Sequence, residues 1–197
     1  MANVEPLTRD ALTEFEPYFV NIEQAMGFVP NSLLTMAHSP EILRGFSAMA
    51  AAVFGASGVS PALKQLVAFV ASNASGCRYC QAHTSSSAVR LGVSPEKVAA
   101  VYDFETNPLF SEAESAALRL ARDAAIVPNA TTPEHFVAVR EHFSEAQIVE
   151  IVAVISLFGW LNRWNDTMAT RLEAEPLDLA AGTLAPHGWS VGKHGGA

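Results

Sequence analysis

The chain has 197 residues, half of them apolar and only 16% charged, with a formal net charge of −8. That length suits one domain with a full core, and so low a charge content asks for part of the surface to be covered, most simply by a partner subunit. The acidic balance, with no Lys/Arg run set against it, argues against a nucleic-acid surface or an anionic membrane.

Helix starts are clearly marked along the chain. Ser39-Pro40, Ser60-Pro61, Ser94-Pro95 and Thr132-Pro133 each place a hydroxyl before a proline, the residues favoured at the N-cap and the first helical position. Ser111 with Glu114, and Ser144 with Gln147, match the capping box. The spacing predicts helices over 10–25, 40–55, 61–74, 77–91, 95–104, 112–127, 133–142 and 145–173. Gly92 and Pro128-Asn129 close two of them. No period-2 strand pattern is present, so the expected fold is all-α. After Pro176 the residues turn small and Gly/Pro-rich. Residues 176–197 are therefore expected to form an irregular C-terminal tail, partly mobile or lying on a neighbouring subunit. The N-terminus shows no basic-then-apolar pattern of a signal peptide, and the longest apolar run, 151–161, is too short to cross a bilayer. A cytoplasmic protein is expected.

An offset of 85 residues lays 63–68 over 148–153 and Cys77-Arg78-Tyr79-Cys80 over Asn162-Arg163-Trp164-Asn165. Gln65 then matches Glu150. This predicts a single helical domain over 1–175 built of two related halves, about 58–92 and 143–175 being equivalent, with thiols only in the first.

Cys77 and Cys80 are the two cysteines of the chain. At i and i+3 they share one side of a helix and can close a small ring. In a first helical turn the free amide donors and the positive dipole end favour thiolate over thiol. A thiolate with a second thiol to resolve it is the minimum equipment for two-electron redox chemistry. The plainer alternative is two small buried hydrophobes, and the spacing at a helix start favours redox. His83 is either a capping histidine or an acid–base group. Gln65 either orients a thiol or substrate or makes an ordinary contact inside a helix pair. Glu150 stands among Ile148, Val149, Ile151 and Val152, paired structurally with Arg163 or Asp166 or serving as a proton relay. Tyr79, Trp160 and Trp164 suit a core or an interface. His135 and His142 share a helix face and suit solvent better than a metal, while His187 and His194, in the tail, point to nothing.

Residues 63–84, LKQLVAFVASNASGCRYCQAHT, resemble the signature of the alkylhydroperoxidase D and carboxymuconolactone decarboxylase superfamily. There a carboxylate precedes a Cys-x-x-Cys by twelve positions and a histidine follows it. Gly27-Phe28-Val29-Pro30-Asn31, Ala37-His38-Ser39-Pro40-Glu41 and residues 158–166 are similar to the peroxidase-related members. The resemblance implies an AhpD-like helical bundle assembling as a trimer or hexamer. It also implies a thiol-dependent peroxidase acting on organic hydroperoxides, in which Cys80 attacks the peroxide and Cys77 resolves the sulfenic acid. No flavin, nicotinamide or haem motif is present, so no cofactor is expected, and the reductant is an external thioredoxin-like or lipoyl-type dithiol.

Two positions depart from the pattern. The relay carboxylate falls at Gln65 and the relay histidine at Thr84, with His83 one residue early and so rotated by about 100°. Glu150 and Asp166 are the substitute carboxylates, and the candidate catalytic set is Cys80, Cys77, His83, Gln65 and Glu150. Three other readings stand beside it: lactone decarboxylation, which in the family proceeds without cysteines; a redox-sensing or metal-binding module on Cys77, Cys80 and His83; and a non-catalytic oligomeric scaffold.

Overall fold

Prolines decide where several helices begin. Pro17 has no N–H and its ring crowds the carbonyl four residues back, so a helix cannot run through from residue 10. In the computed structural model, which describes residues 2–55 and 58–196, the entry is instead two 3-10 turns, Arg9–Ala11 and Thr13–Phe15. Helix α1 (Glu16–Met26) then carries Pro17 in its first turn. The others are α2 (Asn31–Met36), α3 (Pro40–Phe54), α4 (Pro61–Ala74), α5 (Arg78–Arg90), α6 (Pro95–Ala99), α7 (Glu112–Ala125), α8 (Pro133–Arg140), α9 (Glu145–Met168) and α10 (Ala174–Thr183). Among the described residues there is no strand, and the fold is all-α as expected. Ser60, Ser94, Ser111 and Ser144 each accept from the amide three residues on. Ser39 holds the N-cap position without a side-chain bond, and at Thr132 the amide is instead capped by His135 Nδ1, 3.1 Å away.

Helix α4 lies at the centre, packed by α5, α7 and α9. Its Leu66, Val67, Phe69 and Val70 are buried, as is Lys64, whose Nζ donates to the Val53 carbonyl at 2.5 Å and faces Glu150 at 3.7 Å. Helix α5 is buried although it is polar. Gln81, His83, Thr84, Ser85 and Ser86 are all covered, and Thr84 and Ser85 return their hydroxyls to the carbonyls of Cys80 and Ala82. Those local bonds satisfy the hydroxyls and keep the helix slim enough for close neighbours on every side. By length and composition α9 is the one described helix long and apolar enough to cross a membrane; here it packs inside the bundle on α3, α4, α5 and α7.

Two expectations give way. Helix α9 stops at Met168 rather than 173, because Ala169 turns to a left-handed φ of 49°. The C-terminal residues are not irregular: Pro176 sits in the first turn of α10, where its missing N–H costs no helical bond, and the chain beyond it packs back. Leu184 and His194 are buried with Trp189, whose Nε1 donates to the Arg78 carbonyl at 3.1 Å. The proposed halves also differ locally. Cys77 opens a new helix after Gly76, whereas Asn162 lies inside an unbroken α9. The 85-residue offset reappears as a contact, Asn165 against Cys80.

Candidate active site

The α4–α5 corner creates the thiol site. Gly76 takes a φ of 75°, a left-handed turn that a side chain would strain, and the Cys77 amide donates to the Ser72 carbonyl at 3.1 Å. Cys77 is thereby the N-cap of α5. Its Sγ accepts from the Cys80 amide at 3.5 Å, doing what a serine hydroxyl does at other helix starts. On the other side, Asn165 Nδ2 on α9 donates to Cys80 Sγ at 3.4 Å. Both thiols are buried and reduced.

This arrangement divides the two sulfurs. The Cys80 thiol and amide both donate to Cys77, and they hold it below its ordinary value although burial opposes them. Burial pushes Cys80 well up, and Cys77 beside it adds to the rise; the Asn165 amide offsets only part. Of the two, Cys77 is therefore the thiol that ionises first. The family resemblance implies the opposite order of attack, with Cys80 first.

His83 is engaged elsewhere and, among the described residues, makes no hydrogen bond to either sulfur. Its Nε2 lies 2.6 Å from Glu173, its ring stacks on Tyr79 at 4.2 Å, and Phe28 meets it edge-on. Glu173 also accepts from the Tyr79 hydroxyl at 3.0 Å and from the Asn31 amide at 2.5 Å. Burial raises the Glu173 carboxyl, but His83 and the Asn31 amide outweigh it and hold the group below the usual carboxylate range. Burial and Glu173 push the Tyr79 hydroxyl up, so it stays protonated. Glu173 was invisible to sequence reasoning because 145–173 read as one helix. The signal was Pro176 three residues on, which marks a first turn and makes Glu173 an N-cap.

The remaining candidates are not at the thiols. Glu150 accepts from the amides of Gly58 and Val59 and faces Lys64, about 22 Å of helix rise from Asn165. It pairs with neither Arg163 nor Asp166, and it closes the α4–α9 end of the bundle. Gln65 is half-buried and lies about 14 Å of helix from the end of α4, with no side-chain hydrogen bond to either sulfur among the described residues. Thr84 spends its hydroxyl on the Cys80 and Gln81 carbonyls. Among the described residues no three His, Cys, Asp or Glu side chains are grouped to hold a metal ion.

What the structure does bring to the dithiol is Asn165, on Cys80, and Asp166, one of the two carboxylates expected from sequence, with a buried polar group around them. Asn162, Asn165, Thr170 and His194 are buried, and each keeps at least one side-chain polar atom unpartnered among the described residues. His194 arrives on the tail, its Nδ1 2.8 Å from the Thr170 carbonyl and its Nε2 3.8 Å from Asp166. Burial holds its imidazole below the ordinary value. Asp166 pairs with Lys193 at 2.8 Å and is near enough to raise both thiols. A cavity of about 420 Å³ opens beside this group between the ends of α4 and α7 and one face of α9. A larger one, about 590 Å³, lies by α7 and α8; neither cavity is lined by a cysteine, but the smaller one is lined by Asp166.

The carboxymuconolactone decarboxylase family model matches residues 40–123, a stretch that includes both thiols. The debrominase Bmp8, solved alone and as a cysteine-to-alanine variant with 2,3,4-tribromopyrrole, is also similar. In the bound form it is 35% identical with a TM-score of 0.87, over 91% of this chain and 96% of that one. The chain belongs to the carboxymuconolactone decarboxylase family. A peroxidase-related protein with an alkylhydroperoxidase AhpD core from Ralstonia eutropha JMP134 shares the fold, with 24% identity and a TM-score of 0.77 over 87% of this chain and 92% of that one. YdfG of Bacillus subtilis is 26% identical over 116 residues, 58% of this chain and 79% of that protein.

Proposed function

We propose that the protein is a dithiol-dependent reductase of a small organic electrophile, cycling between free Cys77 and Cys80 and their disulfide. One observation carries this reading: Cys77 caps α5 with its sulfur accepting from the Cys80 amide, so the more readily ionised thiol and its resolving partner share one helical turn. With an organic hydroperoxide, the thiolate attacks the outer oxygen, the O–O bond breaks and the alcohol leaves with a proton. The second thiol then displaces water from the sulfenic acid to form the disulfide. In this reading Cys77 attacks and Cys80 resolves.

A second electrophile is supported by the likeness to Bmp8 across almost all of that chain. An aryl bromide and the dithiol give the arene, hydrogen bromide and the disulfide, which balances with the same two electrons. The absent relay at Gln65 and Thr84 removes one support for an ordinary peroxidase. Either cycle needs an external dithiol, thioredoxin-like or lipoyl-type, to reset the disulfide, and a reducing, cytoplasmic setting suits it. A homo-oligomer, trimer or hexamer, is supported by Ile42, Met49, Val149, Val152 and Trp160, left exposed on α3 and α9.

The test is product against thiol. Reduced protein is mixed separately with cumene hydroperoxide and with a polybromopyrrole, and cumyl alcohol or bromide is counted against thiols lost. One product per two thiols with either substrate supports the reading and chooses the electrophile. Loss of thiols no faster than for free cysteine with both would overturn it.

A further inference from the structure

The cavity between the ends of α4 and α7 and one face of α9 is lined by neither cysteine but by Asp166, which acts on both thiols, and it has a chemistry of its own. At its mouth stands Arg163, exposed and without an ion pair among the described residues. The acid three residues along, Asp166, is engaged by Lys193 at 2.8 Å, so the guanidinium charge is left over. The lining is mixed: Ile126 and Val127 are exposed on one side and Gly159 lies across from them on α9, while Ser75, Thr167 and the Lys193-paired Asp166 are polar. A Cβ built on Gly159 meets nothing within 4 Å, so this wall is open by the absence of a side chain. Asn162 also lines the cavity, 4% exposed, with both its amide nitrogen and its oxygen unpartnered among the described residues. A buried amide with both ends free is costly unless something binds it. Asn162 is also one turn from Asn165, the residue on Cys80, and Ser75 in the same wall is two residues before Cys77.

Resting on the reductase reading, we infer that this cavity receives the substrate, and that the substrate is a small organic anion. Its acid group pairs with Arg163, its apolar body lies between Ile126, Val127 and Gly159, and a polar group bonds Asn162. The reacting end is thereby directed past Asn165 to the sulfurs. A volume of about 420 Å³ is that of a small-molecule site. Arg163 would select an anion by charge, while Asn162 would reject a ligand with no polar group to offer it.

Binding is read apart from turnover. The full chain carrying Cys77→Ser and Cys80→Ser is titrated calorimetrically with 4-bromobenzoate and with the neutral 4-bromobenzyl alcohol. The expected result is at least tenfold tighter binding of the anion, a preference erased by Arg163→Gln. Gly159→Leu, a helix-favouring change that fills the cavity, should abolish both. Circular dichroism and a melting curve check that variant, and Arg163, being exposed, gives an independent one. Equal binding of anion and alcohol, or binding that survives both substitutions, would overturn the inference. Turnover with the thiols intact separates this from the reductase reading. If an electrophile is reduced at a rate that ignores substrate charge, Arg163→Gln and Gly159→Leu, the reductase stands and the pocket falls. If the anion binds as described and no electrophile is reduced, the pocket stands and the reductase falls.

Discussion

Removing the Glu173 carboxylate should cost more stability than any other single polar change near the thiols. The side chain is 12% exposed and takes the Asn31 amide of α2 and Tyr79 and His83 of α5, while the residue stands at the N-cap position of α10 without a side-chain cap bond. In Glu173→Ala the Tyr79 hydroxyl and the His83 ring lose their acceptor inside the protein. Breaking a buried pair from one side costs about 3–5 kcal/mol, and the slight exposure here places the value near the lower end, about 3 kcal/mol. For a chain of this size that is a fall of about 6–12 °C in melting temperature. Glu173→Gln keeps an acceptor and loses the charge, and about half that fall is expected. The pH dependence has a definite sign. Because the folded protein holds Glu173 below its ordinary value of 4.5, its contribution is fully present above that pH and is lost as pH falls through the lower folded value. The gap between wild type and Glu173→Gln, measured by thermal unfolding from pH 7 to 3.5, should therefore narrow below about pH 4.5. A Glu173→Ala protein melting within about 2 °C of wild type, or a gap unchanged to pH 3.5, would refute the reasoning.

The division of charge between the sulfurs predicts that limited alkylation at pH 7 labels Cys77 first, mapped by peptide mass. In Cys77→Ser the labelling of Cys80 should need a higher pH, each unit of its raised value lowering the thiolate at fixed pH about tenfold. Glu150→Ala should destabilise by about 2 kcal/mol, less than a fully buried pair because Glu150 is 26% exposed, while leaving the rate of thiol oxidation unchanged. Chemical denaturation and a thiol count separate the two effects. Trp189→Ala removes a buried indole and its bond to the Arg78 carbonyl, and should cost about 3–5 kcal/mol in the same denaturation assay.

Much of this was legible where the signal is local. Ser60, Ser94, Ser111 and Ser144 announce their helices because an N-cap acts within one turn, and Cys77 and Cys80 fall at a helix start for the same reason. Non-local pairings were not legible. Glu150 read as a partner for Arg163 or Asp166, yet the bundle carries it to Lys64, a residue from another helix. His83 read as a group near sulfur, yet the chain reversal at Ala169 brings Glu173 within its reach. The tail read as loose because Gly and Pro dominate it. Leu177, Ala180 and Leu184 nevertheless keep a helical spacing in which Ala180 and Leu184 are buried, and Pro176 is harmless in a first turn. Asn162 and Asn165 carried no mark of their own beyond the 85-residue offset that set them over the cysteines.

The central claim is that Cys77 and Cys80 form one two-electron couple. It is tested most directly by titrating the reduced full chain with electrophile while counting thiols and recording the intact mass. The account predicts loss of both thiols together, a decrease of about 2 Da from two lost hydrogens, and full recovery with a dithiol. In either single cysteine-to-serine variant the decrease should not occur. Thiols that persist as long as free cysteine, or an added-oxygen mass with no disulfide, would contradict it.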